Sequence, residues 1–390
     1  MSLPPVATER LLAFHHLTLQ QASLSLDVLR ELEPAEHRPV NLPDFVLDLS
    51  GRDLGVNLGE QLRVHESLLV QRRDVLLFGS NNLVSRDGML TNEARLWAFN
   101  WIEYLNAWFY NNTFPGLRPR VYKHDGAYQL DMSLFNRPPG VLALDEPVFL
   151  LTPGEAPIWG RWVATTIPKI MHYHKHGQGR KVLCHVQHPW QLAALLELGI
   201  PQDRIIPHDP GATYLCRDVM TVEYGDTDVR LSRGERNAYL ELLISKRIPI
   251  EAPPKLFVSR LTKAVQSPNT RVLQNEQELA RALQGLGFAI IEPEKLTLVL
   301  QMALFSRAES VVFLGGSAIY NTAFCRPDAK VVTIESSGTF VNGHAGFFAS
   351  LGLDYGVIFG QQDLGDPTLT HKRWTLDVEP AVAAIRAYVA

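Results

Sequence analysis

KLFVSRLTKAVQSPNTRVLQNEQELARALQGLGFAIIEPEKLTLVLQMALFSRAESVVFLGGSAIYNTAFCRPDAKVVTIE, residues 255–335, is the stretch whose pattern decides the fold. The short apolar runs KLFVS, FAII, SVVFLG and KVVTIE alternate with the helix-length segments NEQELARALQGLG and TLVLQMALFSRA and with the shorter SAIYNTAFC. Strands separated by helices of this length predict a parallel sheet with crossover connections, a doubly wound α/β half. Ligands of such sheets bind beyond the carboxyl ends of the strands, so residues directly after each strand have the first claim on function.

Three strand ends are informative. Ser259-Arg260 follows KLFV, with Lys263 and Arg271 in the next loop. A guanidinium presents a planar fork of donors suited to phosphate oxygens, and two of them neutralise a diphosphate. Gly315-Gly316-Ser317 follows SVVFL and opens a short helix carrying Asn321. Glycines admit close backbone approach, and the first N–H groups of a helix attract anions. Glu335 ends KVVTI, where a carboxylate accepts hydrogen bonds from a ribose diol. Each feature alone also fits an ordinary turn or a solvated side chain; together they point to a nucleotide diphosphate. Asn275 with Glu278 fits a capping box, which makes Asn275 structural, and Glu276 is a partner to orient Arg260 or Arg271.

Working outward, a second alternation begins near Pro147: VFLL, APIWGRWVATTIPKIMHYH, KVLCHV, PWQLAALLELG, RIIPH and TYLCRDVMTVEY. This predicts another parallel α/β core over 147–222. Gly225 to Pro254, containing charged helix and the turn-like EAPP, reads as the connection between the two halves, and VEPAVAAIRAYV as a terminal helix within 377–390. Residues 62–150 alternate short apolar runs with Gly, Asn and Pro, a strand-and-turn pattern, and the stretch around Pro39, Pro43 and DLSGRDLG reads as irregular connections. Trp97, Trp101, Tyr104 and Trp108 recur at helical spacing and read as core packing rather than a sugar platform. The expected organisation is an N-terminal domain over 1–245, of which 1–140 is a divergent mixed α+β extension, a second domain over 250–376, and the terminal helix.

Composition bounds the partners. The chain has 390 residues, 46% hydrophobic and 20% charged, enough for two globular α/β domains. Its net charge of -4, from 37 basic and 41 acidic residues, supplies no polybasic field for nucleic acid or an anionic bilayer. Cys184, Cys216 and Cys325 are too far apart in sequence for a zinc or redox motif and read as core residues of a reducing compartment. With no signal-like leader and no run of ~20 apolar residues, a cytoplasmic protein is expected, with peripheral membrane association left open. His172 and His174 in HYHKH lack accompanying carboxylates or thiols for a metal. Asp226-Thr227-Asp228 imitates the acid pair that holds a metal-diphosphate in another transferase fold, but reads as an exposed turn of the connection.

The run from KLFVSR to KVVTIES resembles the carboxyl-terminal half of glycosyltransferase family 61. It carries the S-R at 259–260, the R-x-x-x-N-E at 271–276, the L-x-x-L-G-F at 283–288, a G-A-x-x-x-N-like turn at 316–321 and the F-x-x-P-x-A-K-V at 324–331. WGRWVATTIPKI is similar to that family's Y-x-H-W-x-x-D/E-x-x-P-R segment, so the resemblance spans roughly Pro147 to Ser336. The resemblance implies a GT-B architecture, two Rossmann-like domains facing a cleft. It also implies a nucleotide-diphospho-sugar co-substrate without a required metal, a saccharide or lipid-linked acceptor in surface polysaccharide assembly, and inversion at the anomeric carbon. Donor contacts are then expected from Ser259, Arg260, Arg271, Glu276, Gly315, Gly316, Ser317, Asn321 and Glu335.

Two departures matter. Gly315-Gly316 stands where the family has His-Gly, so backbone donors carry more of the load. Arg161-Trp162 and Thr165 stand where the family has His-Trp and an acidic residue suited to general-base work. Threonine is no base. Helical spacing puts Arg161, Thr165, Lys169 and His172 on one face, which makes His172 the substitute base, although Pro168 interrupts that helix. His174 and His344, in the Gly-rich GTFVNGHAGFF, are weaker candidates. The missing carboxylate also suits an alternative, a non-catalytic saccharide- or nucleotide-binding protein on the same fold.

Overall fold

The computed structural model describes residues 11–13, 28–86, 121–124, 127–137, 139–224, 230–246, 248–262, 271–338, 341–367 and 372–390. The aromatic stripe from Trp97 to Trp108, Lys263 and Asp226-Thr227-Asp228 lie outside the described residues. Contacts divide the chain into two units: residues 1–35, 65–157 and 165–227, and residues 36–64, 158–164 and 228–390. Each has a mixed α/β architecture with parallel strands.

In the second unit the strands lie in the order Ala289–Ile291, Lys255–Val258, Ser310–Leu314, Lys330–Ser336, Asp354–Gln362, all parallel. Counted along the chain that order is 2-1-3-4-5, so the winding direction reverses between Lys255–Val258 and Ser310–Leu314. All five residues of Ser310–Leu314 are buried, as a central strand covered on both faces requires. Helices Glu276–Gly285 and Val378–Val389 press Leu279, Leu283, Ala381 and Ile385 onto Phe257, Val312, Val332 and Ile334. Trp374–Thr375 adds an antiparallel strand to Asp354–Gln362.

Four local expectations are corrected. Phe45–Asp48, within the stretch read as irregular, is a strand paired in parallel with residues 356–359. The pairing is close because residue 356 is glycine: a Cβ there would stand 2.0 Å from the Phe45 ring. The charged helix expected within the connection is present as Arg233–Ser245, but it is part of the second unit and not a link between the halves. Ser232 and Glu235 cap it reciprocally at 3.0 and 2.9 Å, and Arg236 ties it to the carbonyls of Ala323 and Cys325 at 2.6 and 2.7 Å. The Gly-rich stretch around His344 is helix Val341–Leu351, because Phe347, Phe348 and Leu351 have an apolar interior to fill and Gly346 gives room to the Arg230 guanidinium. Asn275 makes no side-chain cap; its amide instead bonds the Leu376 backbone in both directions, at 2.8 and 3.2 Å.

In the first unit Ile205–Pro207, Lys181–Cys184, Val148–Leu150 and Thr213–Tyr224 lie side by side in parallel. The long strand Thr213–Tyr224 then pairs antiparallel with Ser67–Phe78, which pairs with Val28–Glu33. Cys184, Cys216 and Cys325 are buried free thiols, each pushed up to about 12 by burial. Among the described residues no helix is long and apolar enough to cross a membrane.

Candidate functional site

The strand ends at the reversal in the second unit bring together most of the residues the sequence singles out. Arg260 follows Lys255–Val258, and the Gly315-Gly316 turn follows the neighbouring Ser310–Leu314. The Arg260 guanidinium lies against that turn, donating from Nη1 to the Gly315 carbonyl at 2.5 Å. Only glycine tolerates this approach. A Cβ on Gly316 would stand 1.7 Å from Arg260 Nη1, and Gly316 has φ 147°, which side chains rarely adopt. Ser317, at the head of the 3-10 helix Ser317–Phe324, remains partly exposed.

Glu276, at the start of its helix and 1% exposed, holds the first strand end. Its Oε1 accepts from the Arg260 backbone N–H at 2.6 Å and from Ser259 Oγ at 2.7 Å. The expected orienting partner is therefore present, bound to the Arg260 backbone. Burial raises the Glu276 pKa, against the pull of those bonds and of the Arg260 charge.

Arg260 and Arg271 are close enough to oppose each other's charge. Burial first, and Arg271 second, lower the Arg260 pKa from its ordinary value, against Glu276, Glu335 and Glu294. Arg271 has φ 44°, an unfavourable backbone for a non-glycine residue, held by Trp374 Nε1 donating to its carbonyl at 2.9 Å. Its Nε is buried without a hydrogen bond among the described residues. A crowded guanidinium pair with an unused buried donor is an arrangement that an oxyanion stabilises.

Glu335 differs from expectation. It is fully buried, its Oε1 accepting from Thr333 Oγ1 at 2.8 Å and lying 2.8 Å from His344 Nδ1, so it has no face to offer a ribose diol. Burial pushes its pKa up, but His344, the Thr333 hydroxyl and Arg271 outweigh this and hold it below the ordinary carboxylate range. Its Oε2 lies 2.0 Å from where a Gly315 Cβ would stand, so Gly315 is the residue that admits it.

Asn321 is fully buried behind the turn. It accepts from Trp159 Nε1 at 2.8 Å and donates to Gln301 Oε1 at 2.9 Å, while Gln301 donates to the Pro293 and Leu296 carbonyls. Gly160 lies so close to Tyr320 that a Cβ would meet its ring at 2.4 Å. The Trp159-Gly160 and Tyr320-Asn321 pairs therefore interlock, and Asn321 fixes the turn from behind.

The proposed catalytic positions are less well gathered. Arg161 belongs to the second unit, Thr165 and His172 to the first. The expected single helix is three pieces: Trp159–Arg161, a π-turn Trp162–Thr166, and Ile167–His176 with Pro168 in its first turn, where the missing N–H is harmless. A π-turn breaks the 3.6-residue period, so spacing by four no longer defines one face across it. Lys169 is 1% exposed, over the Tyr224 ring, and so offers no solvent face. His172 stays partly buried; burial, then Lys175 and His176, push its pKa down to about 4. Its Nδ1 has no hydrogen bond among the described residues.

The first unit has a polar strand-end cluster that the sequence reading did not single out. Thr152, His185 and His208 each follow a parallel strand and are at most 4% exposed. Thr152 Oγ1 accepts from the His185 backbone N–H at 3.0 Å and lies 2.8 Å from His208 Nδ1, and His185 pairs with Gln191. The signal was available: histidine directly ends the apolar runs KVLCH and RIIPH. Among the described residues no group of three or more His, Cys, Asp or Glu side chains is arranged to hold a metal.

The fold is thus mixed α/β with parallel strands, and the candidate site is a pair of arginines at a sheet's switch point. The family model Glycosyltransferase 61 matches residues 159–332, and the chain carries a glycosyltransferase 61 domain over them. The match begins at the Trp159 that bonds Asn321 and ends within the strand that carries Glu335, so Glu335 and His344 lie beyond it. No curated protein matches the chain.

Proposed function

We propose that the protein is an inverting glycosyltransferase of GT-B arrangement that moves a sugar from a nucleotide-diphospho-sugar to a saccharide or lipid-linked acceptor in surface polysaccharide assembly. The second unit takes the donor and the first serves the acceptor. The observation that carries this is the crowded Arg260–Arg271 pair at the switch point, with the buried Arg271 Nε unused. A diphosphate there relieves the repulsion, engages that donor, and meets the N–H groups of the Gly315-Gly316-Ser317 turn. In the transfer the acceptor oxygen bonds the anomeric carbon as the bond to the diphosphate breaks. The diphosphate leaves with the electron pair and a base takes the hydroxyl proton. His172 is the proposed base, with Arg161 and Thr165 nearby in sequence. With a pKa of about 4 its ring is neutral at pH 7, and a base this weak accepts the proton only as the glycosidic bond forms.

Thr165, standing where an acidic residue would serve as base, favours a second reading, a nucleotide- or saccharide-binding protein without transfer. Release of nucleoside diphosphate from a panel of nucleotide sugars separates the two. Slow hydrolysis of one donor, abolished by His172→Ala and by Arg260→Met, supports the transferase. Tight donor binding without turnover supports the binder, and absence of binding rejects both.

A further inference from the structure

We propose that His344 donates to the donor diphosphate, with Glu335 as the residue that positions it; this rests on the donor-site reading above and assigns that site a third cation. The charge count makes the case. Two guanidiniums, Arg260 and Arg271, face two buried carboxylates, Glu276 and Glu335, and the exposed Glu294 also acts on Arg260, so the described residues give the site no surplus positive charge to attract an anion. Glu335 is pressed against Gly315, in the turn that would cradle the phosphates. Unbalanced, that carboxylate repels a diphosphate. An imidazolium at His344 offsets that carboxylate.

The geometry fits this role. Glu335 Oε1 lies 2.8 Å from His344 Nδ1, and because a carboxylate oxygen only accepts, this contact favours the tautomer with its proton on that nitrogen. The ring is packed edge-on to Tyr320 at 6.1 Å, and Tyr320 is itself packed on Phe347 at 4.8 Å. Nδ1 and the ring plane are thus fixed, while Nε2 has no hydrogen bond among the described residues and 10% of the side chain stays exposed. Among the described residues, the charged and titratable groups around the dyad are Glu335 and Tyr320 from neighbouring elements, Arg271 and Arg260 acting on Glu335, and Arg230 against Gly346 of the same helix. A phosphate oxygen at Nε2 and a carboxylate at Nδ1 together favour the doubly protonated ring, so binding takes up a proton at and above the ordinary histidine range.

The test is the affinity for uridine and guanosine diphosphate, by calorimetry from about pH 5.5 to about pH 8.5. For wild type, His344→Gln and Glu335→Gln, melting curves establish that each protein is folded. The wild type is expected to bind ~10-fold or more tightly than His344→Gln at the acid end, with the two converging at the alkaline end. Glu335→Gln shifts the pH dependence to lower pH, because His344 loses the carboxylate that favours its proton, yet still binds at the alkaline end, because the repulsive carboxylate is gone. A merely structural dyad would weaken both variants equally at every pH, and a His344→Gln profile that tracks the wild type removes His344 from the site. Both overturn the inference. Proton uptake by the wild type, read from its binding heat in buffers of different ionisation enthalpy, tests the same point without a variant, and zero uptake contradicts it. If neither diphosphate binds the wild type, the donor-site reading itself fails. If both bind but only the His344 effect is missing, that reading stands without this inference.

Discussion

Replacing Gly315 with alanine tests whether the turn is built around Glu335. The new Cβ would lie 2.0 Å from Glu335 Oε2 and 2.8 Å from Cδ, where ordinary contact begins at 3.4 Å, so the carboxylate must retreat by about 1.4 Å. It has nowhere easy to go, being fully buried with 2.8 Å contacts to Thr333 and His344 that such a retreat breaks. Overpacking and the loss of hydrogen bonds to a buried charge together cost about 3 kcal/mol. Gly343→Ala is the control: the position is exposed, helical and open, with nothing within 4 Å, and the better helix former adds ~0.5–1 kcal/mol. Urea unfolding followed by tryptophan fluorescence and near-ultraviolet circular dichroism gives both values, and calorimetry gives diphosphate affinity, expected ~10-fold weaker in Gly315→Ala as His344 loses its anchor. A Gly315→Ala protein as stable as wild type with unchanged affinity would show that the carboxylate does not press on the turn, and the account of the dyad would fall.

Asn321→Ala strands the Trp159 indole N–H and the Gln301 carbonyl in a buried site, and is expected to cost ~2–4 kcal/mol in urea unfolding. Arg271→Gly should be ~1 kcal/mol more stable than Arg271→Ala, because φ 44° suits glycine, while both lose diphosphate affinity; equal stability would mean that the backbone there is unstrained. His208, pushed down to about 3 by burial, stays neutral where an unfolded histidine takes up a proton near 6.5. Stability should therefore fall as pH drops from about 6.5 toward about 3, by up to ~1.4 kcal/mol per pH unit from this group. His172, at about 4, acts in the same direction, and His208→Gln should flatten the slope measured by urea titration between about pH 4.5 and about pH 6.5.

The alternation of apolar runs and helix-length segments made the parallel sheet legible, because each strand buried on both faces must be continuously apolar. Ser259, Arg260, Gly315 and Gly316 were legible from one rule, that strand ends carry function. What escaped depended on contacts distant in sequence. Phe45–Asp48 became a strand only because Gly356, some three hundred positions on, left room for the Phe45 ring. Helix Val341–Leu351 was hidden by its glycines, one of which makes space for Arg230. Glu335 departs from the expected ribose contact because a strand-end carboxylate looks alike in sequence whether it faces solvent or a buried histidine. The π-turn, which overturned the shared face of Arg161, Thr165, Lys169 and His172, has no signature in residue spacing.

The central claim, that the arginine pair at the switch point holds the donor diphosphate, is tested most directly by titrating the four common ribonucleoside diphosphates into the wild type and Arg260→Met. Methionine keeps the length of the buried stem and removes only the guanidinium. Saturable binding of at least one diphosphate, weakened roughly 30-fold or more in Arg260→Met, is the predicted result. Equal affinity in the two proteins, or no binding by a folded wild type, would contradict it.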